Sequence, residues 1–434
     1  MAAHHVYPQG HARHRPGARP AYRFACKRNH YLQYHFRYCQ SHGDPHPLFP
    51  GRYLFLVLER GTGEAGILCR ARNAGGSHCM RLLLTLDYPP ERGGIQKYLH
   101  GIVRYTYSAG DMVIVGCMPR HRRHADDTAA PVTRVGLPFS QINKKLSLAA
   151  MLPPLLARAA TRSHTLTVEC GNVYTALLPW MMRPVLPLPY RVYTYGTELV
   201  ALRNPSPARA ALLCALKGAH GIYALGPYTE KLVRQLGCTC PVEHIPPKIV
   251  LPEKAVPSRK RHEGDVFRIL SVGRLVQHKG HHVLVNAVAG LPEECDWTLR
   301  VVGTGPKLPD LRRQRQSLPR PERIMLDGEL SDRELQDAYG NADAFVLSSL
   351  ETTEGTEGFG IVLLEAMSHH VPVVASATGG INDVLEDGQC GLLVRPGDVD
   401  ALRATLVKLW QRPSLGTELT ERAYERLRAH YVWH

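Results

Sequence analysis

The chain has 434 residues, of which 44% are hydrophobic and 21% are charged. This is the composition of a globular protein, so it excludes a chain that is disordered throughout. At roughly 100–200 residues per domain, the length predicts two packed domains. The formal net charge of +15 suits phosphate-bearing ligands, an anionic membrane surface or nucleic acid.

The 11 cysteines are scattered along the sequence, and their number is odd. Cys238-Thr239-Cys240 is the only close pair, and no Cys or His pair with metal-ligand spacing accompanies it. The pattern predicts free thiols in a reducing cytosol and no metal. The sequence has no run of the roughly 18 apolar residues that would span a bilayer, and residues 1–30 have no signal-peptide apolar segment. We expect a cytoplasmic protein, either soluble or peripherally attached to the inner face of the membrane.

Residues 1–79 form a basic N-terminal extension in this interpretation. They contain 11 Lys/Arg and 3 Asp/Glu, a net charge of +8, whereas the following 355 residues carry 42 and 35, a net charge of +7. Residues 1–50 are rich in His, Arg, Tyr and Pro and show neither helical nor strand periodicity, which favours disorder. We interpret the extension as an appended leader, with an organellar transit peptide as the alternative.

A glycine cluster in this extension imitates a dinucleotide-binding motif. Residues 61–66 match G-x-G-x-x-G after a strand-like run at residues 53–59, and Asp87 follows at the spacing of a ribose-binding acid. The segment between Gly66 and Gly75 is too short for a crossover helix. We therefore interpret this match as a chance glycine cluster.

From Met80 onward, apolar strand-like segments alternate with helical segments. The first series, residues 80–255, has strands predicted at residues 82–86, 112–115, 166–168 and 191–195. A Pro- and charge-rich linker at residues 251–263 leads to the second series, residues 262–434. Its predicted strands are residues 267–272, 297–302, 324–327, 344–347, 371–375 and 391–394. The alternation predicts two α/β domains, each a parallel sheet covered on both faces, with a ligand cleft between them.

The most informative motif is residues 357–365 (EGFGIVLLE), which follows a predicted strand and leads into a helix. Gly358 and Gly360 would leave N–H groups open at the helix N-terminus, where a phosphate or a sugar hydroxyl can bind. Glu357 and Glu365 would lie roughly 12 Å apart along the helix axis. That separation is too long for an acid–base pair but suits the two ends of a nucleotide sugar. Alone, the motif also describes a surface helix with two solvated glutamates.

A second motif, residues 273–280 (GRLVQHKG), follows the first strand of the C-terminal domain. It places Arg274 and Lys279 in a strand-to-helix loop at the carboxyl end of a strand. Two fixed cations there can neutralise a leaving diphosphate without a metal ion. A solvated basic loop is the alternative for this fragment alone.

Together these motifs resemble the donor domain of family GT4 of the retaining GT-B glycosyltransferases. The resemblance covers residues 80–434 and is strongest over residues 267–398. Three more segments carry it: residues 302–306 (VGTGP), residues 328–339 (GELSDRELQDAY) and residues 375–397 (ASATGGINDVLEDGQCGLLVRPG). It implies a GT-B fold, in which two Rossmann-like domains face each other across a cleft.

The resemblance also implies residue roles. Arg274 and Lys279 would stabilise the departing diphosphate, and Glu357 would hold the donor sugar as the third catalytic residue. Glu365 would bind the ribose hydroxyls. The other implied donor-binding positions are glycines and backbone sites of the donor domain: Gly303, Gly328, Gly358, Phe359, Gly360 and Ile361. The anomeric configuration would be kept, with catalysis by positioning and charge stabilisation and without a metal or other cofactor.

The N-terminal domain would supply the acceptor side. Gly93 and Gly94 resemble the family's loop at the floor of the active site, with a plain strand-turn as the alternative. Tyr195 and Glu198 lie in Tyr195-Gly196-Thr197-Glu198, where relatives often carry His-Gly-x-Asp or Glu. We expect both to contact the sugar or the acceptor, although a phenol can donate a hydrogen bond but does not gain a positive charge near neutral pH as histidine can.

Two further features bear on partners and closure. Residues 120–124 (RHRRH) and Lys144-Lys145 lie near an apolar stretch at residues 146–156, which favours an anionic membrane surface, with a solvated loop as the alternative. The chain ends at residues 431–434, where relatives continue into a helix that returns to the first domain, so we expect looser closure of the cleft.

The sequence thus predicts a retaining transferase that moves a sugar from a nucleoside diphosphate to a glycan, lipid-linked or small-molecule acceptor. A non-catalytic nucleotide-sugar-binding protein and a nucleotide-sugar epimerase remain alternatives. Nucleic acid is not expected as a partner, because basic and aromatic residues do not interleave outside the extension. The motifs do not identify the base, the sugar or the acceptor.

Overall fold

The computed structural model describes residues 80–117, 130–136, 144–162, 166–204, 206–251, 262, 264–353 and 355–433. It also gives the backbone of Leu58–Glu59 and Ala65–Gly66, which pair as two short antiparallel strands. The expected disorder of residues 1–50 and most of the chance glycine motif lie outside the described residues. The described residues from 80 onward belong to one compact unit that contains two sheets.

The N-terminal domain is built on a parallel sheet with strand order β3-β2-β1-β4-β5-β6-β7. Its described strands are β1 (Met80–Thr85), β2 (Met112–Gly116), β3 (Val132–Val135), β4 (Leu166–Cys170), β5 (Tyr190–Thr194), β6 (Gly221–Ala224) and β7 (Val242–His244). Its described α-helices are α1 (Gly94–Thr106), α2 (Ser147–Arg162), α3 (Leu177–Met182), α4 (Thr197–Leu202), α5 (Pro207–Lys217) and α6 (Pro227–Gln235).

The C-terminal domain repeats this plan, with strand order β10-β9-β8-β11-β12-β13 and all pairs parallel. Its described strands are β8 (Phe267–Val272), β9 (Trp297–Val302), β10 (Ile324–Gly328), β11 (Ala344–Leu347), β12 (Val373–Ser376) and β13 (Leu392–Val394). Its described α-helices are α7 (His281–Ala289), α8 (Leu308–Gln316), α9 (Asp332–Gly340), α10 (Ile361–Ser368), α11 (Ile381–Val384), α12 (Val399–Gln411) and α13 (Pro413–His430).

Both sheets are buried on two faces because their central strands are apolar at successive positions. In β1, Leu82 and Leu84 pack into one hydrophobic cluster while Leu83 packs into another, as the alternation of a strand requires. In β8, Ile269 and Leu270 divide in the same way between opposite faces. These runs confirm the predicted two-domain α/β fold. The predicted boundaries at residues 255 and 262 stay predictions, since residues 252–261 are outside the described part.

One hydrophobic cluster runs through both domains. It contains Leu99 of α1, Leu363 of α10 and Leu427 of α13, each fully buried. The helices at the boundary between the two domains therefore pack through a common hydrophobic core and not through a solvated interface. Within the described residues, no helix has both the length and the apolar composition needed to span a bilayer.

The end of the chain returns to the N-terminal domain and corrects the expectation of a loosely closed cleft. After α13, Val432 forms a parallel bridge with Ile249. The Trp433 ring then stacks on Tyr105 of α1, with centroids 4.9 Å apart and planes 8° from parallel. A short extended segment thus makes the interdomain contact that we expected a helix to make. The described chain crosses the boundary a second time here.

A buried histidine beside the predicted cation loop gives the fold an acid-sensitive element. His281 begins α7, is 2% exposed and places Nδ1 3.3 Å from the Ser271 hydroxyl. Its Nε2 has no hydrogen-bond partner among the described residues. Burial, reinforced by the positive charge of Lys279, lowers the pKa of His281 to about 3.

We predict that stability falls as the pH drops below about 6.5, the ordinary pKa of histidine, because only the unfolded chain then binds the proton. The loss from His281 should reach about 2 kcal/mol near pH 5. Urea unfolding at several pH values measures it. His281→Phe should flatten the acid side of the stability profile, whatever its effect at pH 7.

The exposed His262→Gln is the control and should leave the profile unchanged. An acid limb identical in wild type and His281→Phe would contradict the assignment.

Candidate functional site

The candidate site lies where the strand order of each sheet reverses. In both sheets the first strand lies beside the fourth strand of that sheet, so the loops after β1 and β4, and those after β8 and β11, leave a crevice at the carboxyl edge. The loop after β8 carries Arg274 and Lys279, and the loop after β11 leads to Glu357. The topology alone therefore gathers the predicted catalytic residues at one edge.

The two carboxyl edges meet backbone to backbone. The Cα of Gly358 lies 3.0 Å from where a side chain on Gly196 would begin, and a Cβ on Gly358 would overlap the Tyr195 carbonyl oxygen. Close by, the Thr197 hydroxyl donates a 3.0 Å hydrogen bond to the Thr356 carbonyl. Only glycine at positions 196 and 358 permits this approach, and Gly196 has φ +116°. We call this contact the glycine seam.

Helices α1 and α10 lie side by side with their N-termini at this seam. Ile361, the first residue of α10, comes within 3.2 Å of where a Cβ on Gly94 would lie at the start of α1. One turn further along, Lys97 forms a 2.9 Å ion pair with Glu365. The contacts advance in the same direction, so the helices run parallel. Within the described residues neither N-terminus has a side-chain cap or an acid in its first turn. Two sets of open N–H groups and two positive dipole ends therefore converge.

Lys279 and Glu357, two of the predicted catalytic residues, form an ion pair. The Lys279 ammonium donates to Glu357, and the Ser349 hydroxyl donates to the same carboxylate oxygen at 3.3 Å. The side chains are 15% and 11% exposed. A pair shielded from water to this extent interacts more strongly than a surface pair. Arg274 lies on the same loop but is exposed, so it faces solvent in this conformation.

Glu365, the predicted ribose ligand, is fixed from two sides. Its Oε1 accepts from Lys97 of the N-terminal domain, and its Oε2 accepts the Tyr339 hydroxyl at 3.0 Å. Burial, together with the Glu365 charge, raises the pKa of Tyr339 well above its usual range, so the phenol remains a donor. The structure therefore places the two glutamates of the motif in separate polar environments.

The predicted donor-binding glycines shape the backbone at this edge. Gly360 caps α10 with φ +84°, and Gly380 donates its N–H to the Glu357 carbonyl at 2.9 Å. The Phe359 ring packs edge-on against Tyr431, 5.6 Å between centroids, so only its backbone is left for a ligand. Gly303, with φ +140°, donates its N–H to the Gly328 carbonyl at 2.7 Å. Donor binding by these positions stays a prediction.

Known proteins are similar to this chain over most of its length. Residues 253–426 match the family described as Glycosyl transferases group 1. A GDP-mannose-dependent alpha-(1-6)-phosphatidylinositol monomannoside mannosyltransferase of Mycolicibacterium smegmatis is 30% identical over 349 residues, covering 76% of this chain and 89% of that protein. The protein of the same name from Mycobacterium tuberculosis is 27% identical over 352 residues, covering 76% and 88%. The chain belongs to the group 1 glycosyl transferases.

Solved structures agree on the fold. Sucrose-phosphate synthase from Thermosynechococcus elongatus superposes with a TM-score of 0.67 at 20% identity, covering 82% of this chain and 95% of that one. Anabaena Alr3699/HepE in complex with UDP-glucose superposes with a TM-score of 0.64 at 19% identity, covering 82% and 96%. These likenesses confirm the predicted GT-B architecture. The family and the curated relatives make this group 1 chain a glycosyltransferase that uses a nucleotide sugar.

Tyr195 and Glu198 have local partners in this group 1 chain. The Tyr195 hydroxyl donates to the Gly171 carbonyl at 2.6 Å, and the ring is buried within the N-terminal domain. The Glu198 carboxylate accepts the Tyr195 N–H at 2.5 Å, and burial raises its pKa. Both side chains thus shape the turn that presents Gly196 to the seam. Their predicted contact with sugar or acceptor remains a prediction, and this geometry does not point the phenol at the donor.

Several residues at the site escaped the sequence analysis. Lys97 follows the predicted Gly93-Gly94 loop by one helical turn, which was the only signal for it. Tyr339 ends one of the segments that carry the family resemblance, but no pattern linked it to Glu365. Tyr228 donates its N–H to Asp383 at 3.1 Å and pairs its hydroxyl with Thr356 at 2.9 Å. The two Tyr228 contacts join residues 155 and 128 positions apart, so no local motif predicts them.

A metal-binding site is not evident in the part of the chain that the structure describes. No group of three or more His, Cys, Asp or Glu side chains lies close enough there to hold a metal ion. The cations predicted to neutralise the diphosphate are side chains, Lys279 at the seam and Arg274 on the same loop. The expectation of metal-independent chemistry stays a prediction.

The glycine seam gives a direct test of the interdomain geometry. Gly358→Ala adds a methyl group where the Tyr195 carbonyl already lies, so it should destabilise the closed arrangement by about 2 kcal/mol or more. Thermal melting and small-angle X-ray scattering measure the loss of stability and the opening of the domains.

The matched control is Gly110→Ala, since a side chain there meets no atom of the structure within 4 Å. It should change stability by no more than about 0.5 kcal/mol. Equal melting temperatures and radii for Gly358→Ala and wild type would show that the seam is not closed in solution.

Proposed function

We propose that this group 1 glycosyl transferase is a retaining hexosyltransferase whose first donor candidate is GDP-mannose and whose acceptor is lipid-linked. The observation that carries the proposal is the convergence of the Lys279–Glu357 pair and two uncapped helix N-termini at one interdomain seam. A diphosphate bound there would meet N–H donors from both domains and the Lys279 charge as the glycosidic bond breaks.

The protein would bind the donor at its sugar and at its ribose. The sugar would bind near Glu357 and the backbone of Gly358 and Gly360, while the ribose would bind near Glu365. Arg274 would turn from solvent toward the phosphates, because a guanidinium forms strong bidentate bonds with phosphate oxygens. The Glu357 carboxylate at the seam is held by Lys279 and Ser349, which supports a positioning role for it and attack on the face that the diphosphate leaves. GDP-mannose comes first because the relatives that span most of this chain are named for it.

A lipid-linked acceptor is supported by the names of the same relatives and by the surface of the N-terminal domain. Residues 80–251 contain 20 Lys/Arg and 9 Asp/Glu, a net charge of +11, whereas residues 252–434 contain 22 and 26, a net charge of −4. Lys145 and Leu146 just before α2, and Leu156 and Arg158 within it, are each exposed. Exposed leucines beside cations suit an anionic bilayer. Residues 120–124, also predicted to contribute, lie outside the described residues.

Donor turnover is the first test. Purified protein is incubated with UDP-, GDP- and ADP-sugars, and nucleotide release is measured with and without a chelator. One donor should be hydrolysed slowly without an acceptor. Lys279→Ala should lower the rate roughly a hundredfold, because it removes a charge that acts in the transition state. Glu365→Ala should weaken donor binding about tenfold. Product analysis by NMR should show a retained anomeric configuration.

Lys408→Ala on α12 and Glu418→Ala on α13 are the matched controls, since both residues are exposed and lie on helices that carry none of the predicted site residues. They should leave turnover unchanged. If a nucleotide sugar raises the melting temperature and is never consumed, with or without lipid acceptor, the chain is a binding protein. Conversion of one nucleotide sugar into another without release would make it an epimerase.

Membrane attachment has a separate test. In flotation assays the protein should bind vesicles of phosphatidylcholine that contain phosphatidylinositol and ignore vesicles of phosphatidylcholine alone. Added salt should weaken the binding, because it screens the basic domain. Leu156→Ser should weaken it as well. Val250→Ser, which removes another exposed apolar side chain, should not. Equal binding to neutral and anionic vesicles would refute the electrostatic part of the proposal.

A further inference from the structure

Lys97 is the one cation in the first turn of α1, and it reaches across the domain boundary. Its Nζ lies 2.9 Å from Oε1 of Glu365, and the two side chains are 56% and 17% exposed. Burial would lower the pKa of Lys97, but the Glu365 charge and hydrogen bond outweigh it and raise the pKa. Lys97 is therefore charged at neutral pH and is held by the carboxylate that the proposed function assigns to the ribose.

Both oxygens of Glu365 are engaged in this conformation. Tyr339 occupies Oε2 and Lys97 occupies Oε1. A ribose diol needs acceptor sites on this carboxylate, and Tyr339 is buried in the same domain while Lys97 comes from the other. Of the two donors, Lys97 is the one free to move, because its four-carbon stem is flexible and half-exposed. Binding of ribose to Glu365 would therefore displace or share Lys97.

Charged groups of both signs surround the Lys97 ammonium. Arg92 repels it, and Asp332 and Glu365 attract it. Gly94, one turn earlier on α1, contacts Ile361 at the start of α10, where the diphosphate would lie. That turn is about 5 Å along the helix, within reach of a lysine side chain. A diphosphate at this position would be the strongest anion near Lys97.

We propose that Lys97 is a donor-phosphate ligand contributed by the N-terminal domain, and that Glu365 holds it in place until the ribose binds. This inference rests on the proposed function of the site. Lys97 would join Lys279 and Arg274 around the diphosphate, but from the opposite domain. Donor binding would then exchange one interdomain ion pair for a contact that also joins the domains, so the cleft would stay closed over the donor.

The test compares ligands that differ only in phosphate. Isothermal titration calorimetry measures the binding of guanosine, GMP and GDP, with uridine, UMP and UDP in parallel, to the full chain. Lys97→Ala should weaken diphosphate binding about tenfold, because a charge-assisted hydrogen bond is lost. Nucleoside binding should be unchanged or tighter, since Glu365 has lost a competitor. Lys97→Arg should restore the diphosphate affinity.

Arg104→Ala is the matched control, because it removes a cation from the last turn of the same helix. It should alter no affinity by more than about twofold. If Lys97→Ala binds the diphosphate as tightly as wild type or more tightly, Lys97 is only a competitor of the ribose and the inference fails. In that outcome wild type still binds nucleotide and Glu365→Ala weakens it, so the proposed function stands. If wild type binds neither series, both fall together.

Discussion

The absence of a side chain at positions 196 and 358 is the constraint on which the rest of this site depends. Two parallel sheets have crevices at their carboxyl edges, but crevices on separate domains form one site only if the edges touch. Here they touch through backbone atoms, at a distance that any Cβ would prevent. The close approach brings the N-termini of α1 and α10 together, and the convergence of donor groups follows from it.

Charge pairing is the second theme of the site. Lys279 is neutralised by Glu357, and Lys97 by Glu365, before any ligand is present. Each pair lets a half-buried charge remain in place without a large desolvation cost. The same pairs hold the Lys279 and Lys97 ammonium groups at the seam, although Lys97 would leave Glu365, and Arg274 would turn from solvent, to contact a diphosphate. Glu357 and Glu365, the acidic members of these pairs, are the residues that the family resemblance assigns to the sugar and the ribose. Each glutamate would therefore bind a lysine first and the donor afterwards.

The sequence predicted what local pattern controls. Alternating apolar runs identified both sheets, and a loop with two cations after β8 identified Lys279 and Arg274. The glycine-rich start of α10 was equally visible, because the spacing of glycines and acids is a local property. These predictions needed no knowledge of which residues meet across the chain.

The sequence does not predict the contacts that depend on the relative placement of the two domains. Lys97 and Glu365 are 268 positions apart, and Thr197 and Thr356 are 159 apart. The motif around Tyr195 predicts a sugar contact, which stays a prediction, and it gave no signal that the hydroxyl would donate to the Gly171 carbonyl. Trp433 likewise gave no signal that it would stack on Tyr105.

The double connection between the domains has a mechanical consequence. The chain passes from one domain to the other once before β8 and returns after α13, where Val432 pairs with Ile249. In the returning segment, Tyr431 packs edge-on against Phe359, the residue that follows Gly358, and Trp433 stacks on Tyr105 of α1. One short segment therefore contacts both the glycine seam and the N-terminal domain. A rotation that separates the domains at Gly358 would also strain the aromatic stack at Trp433.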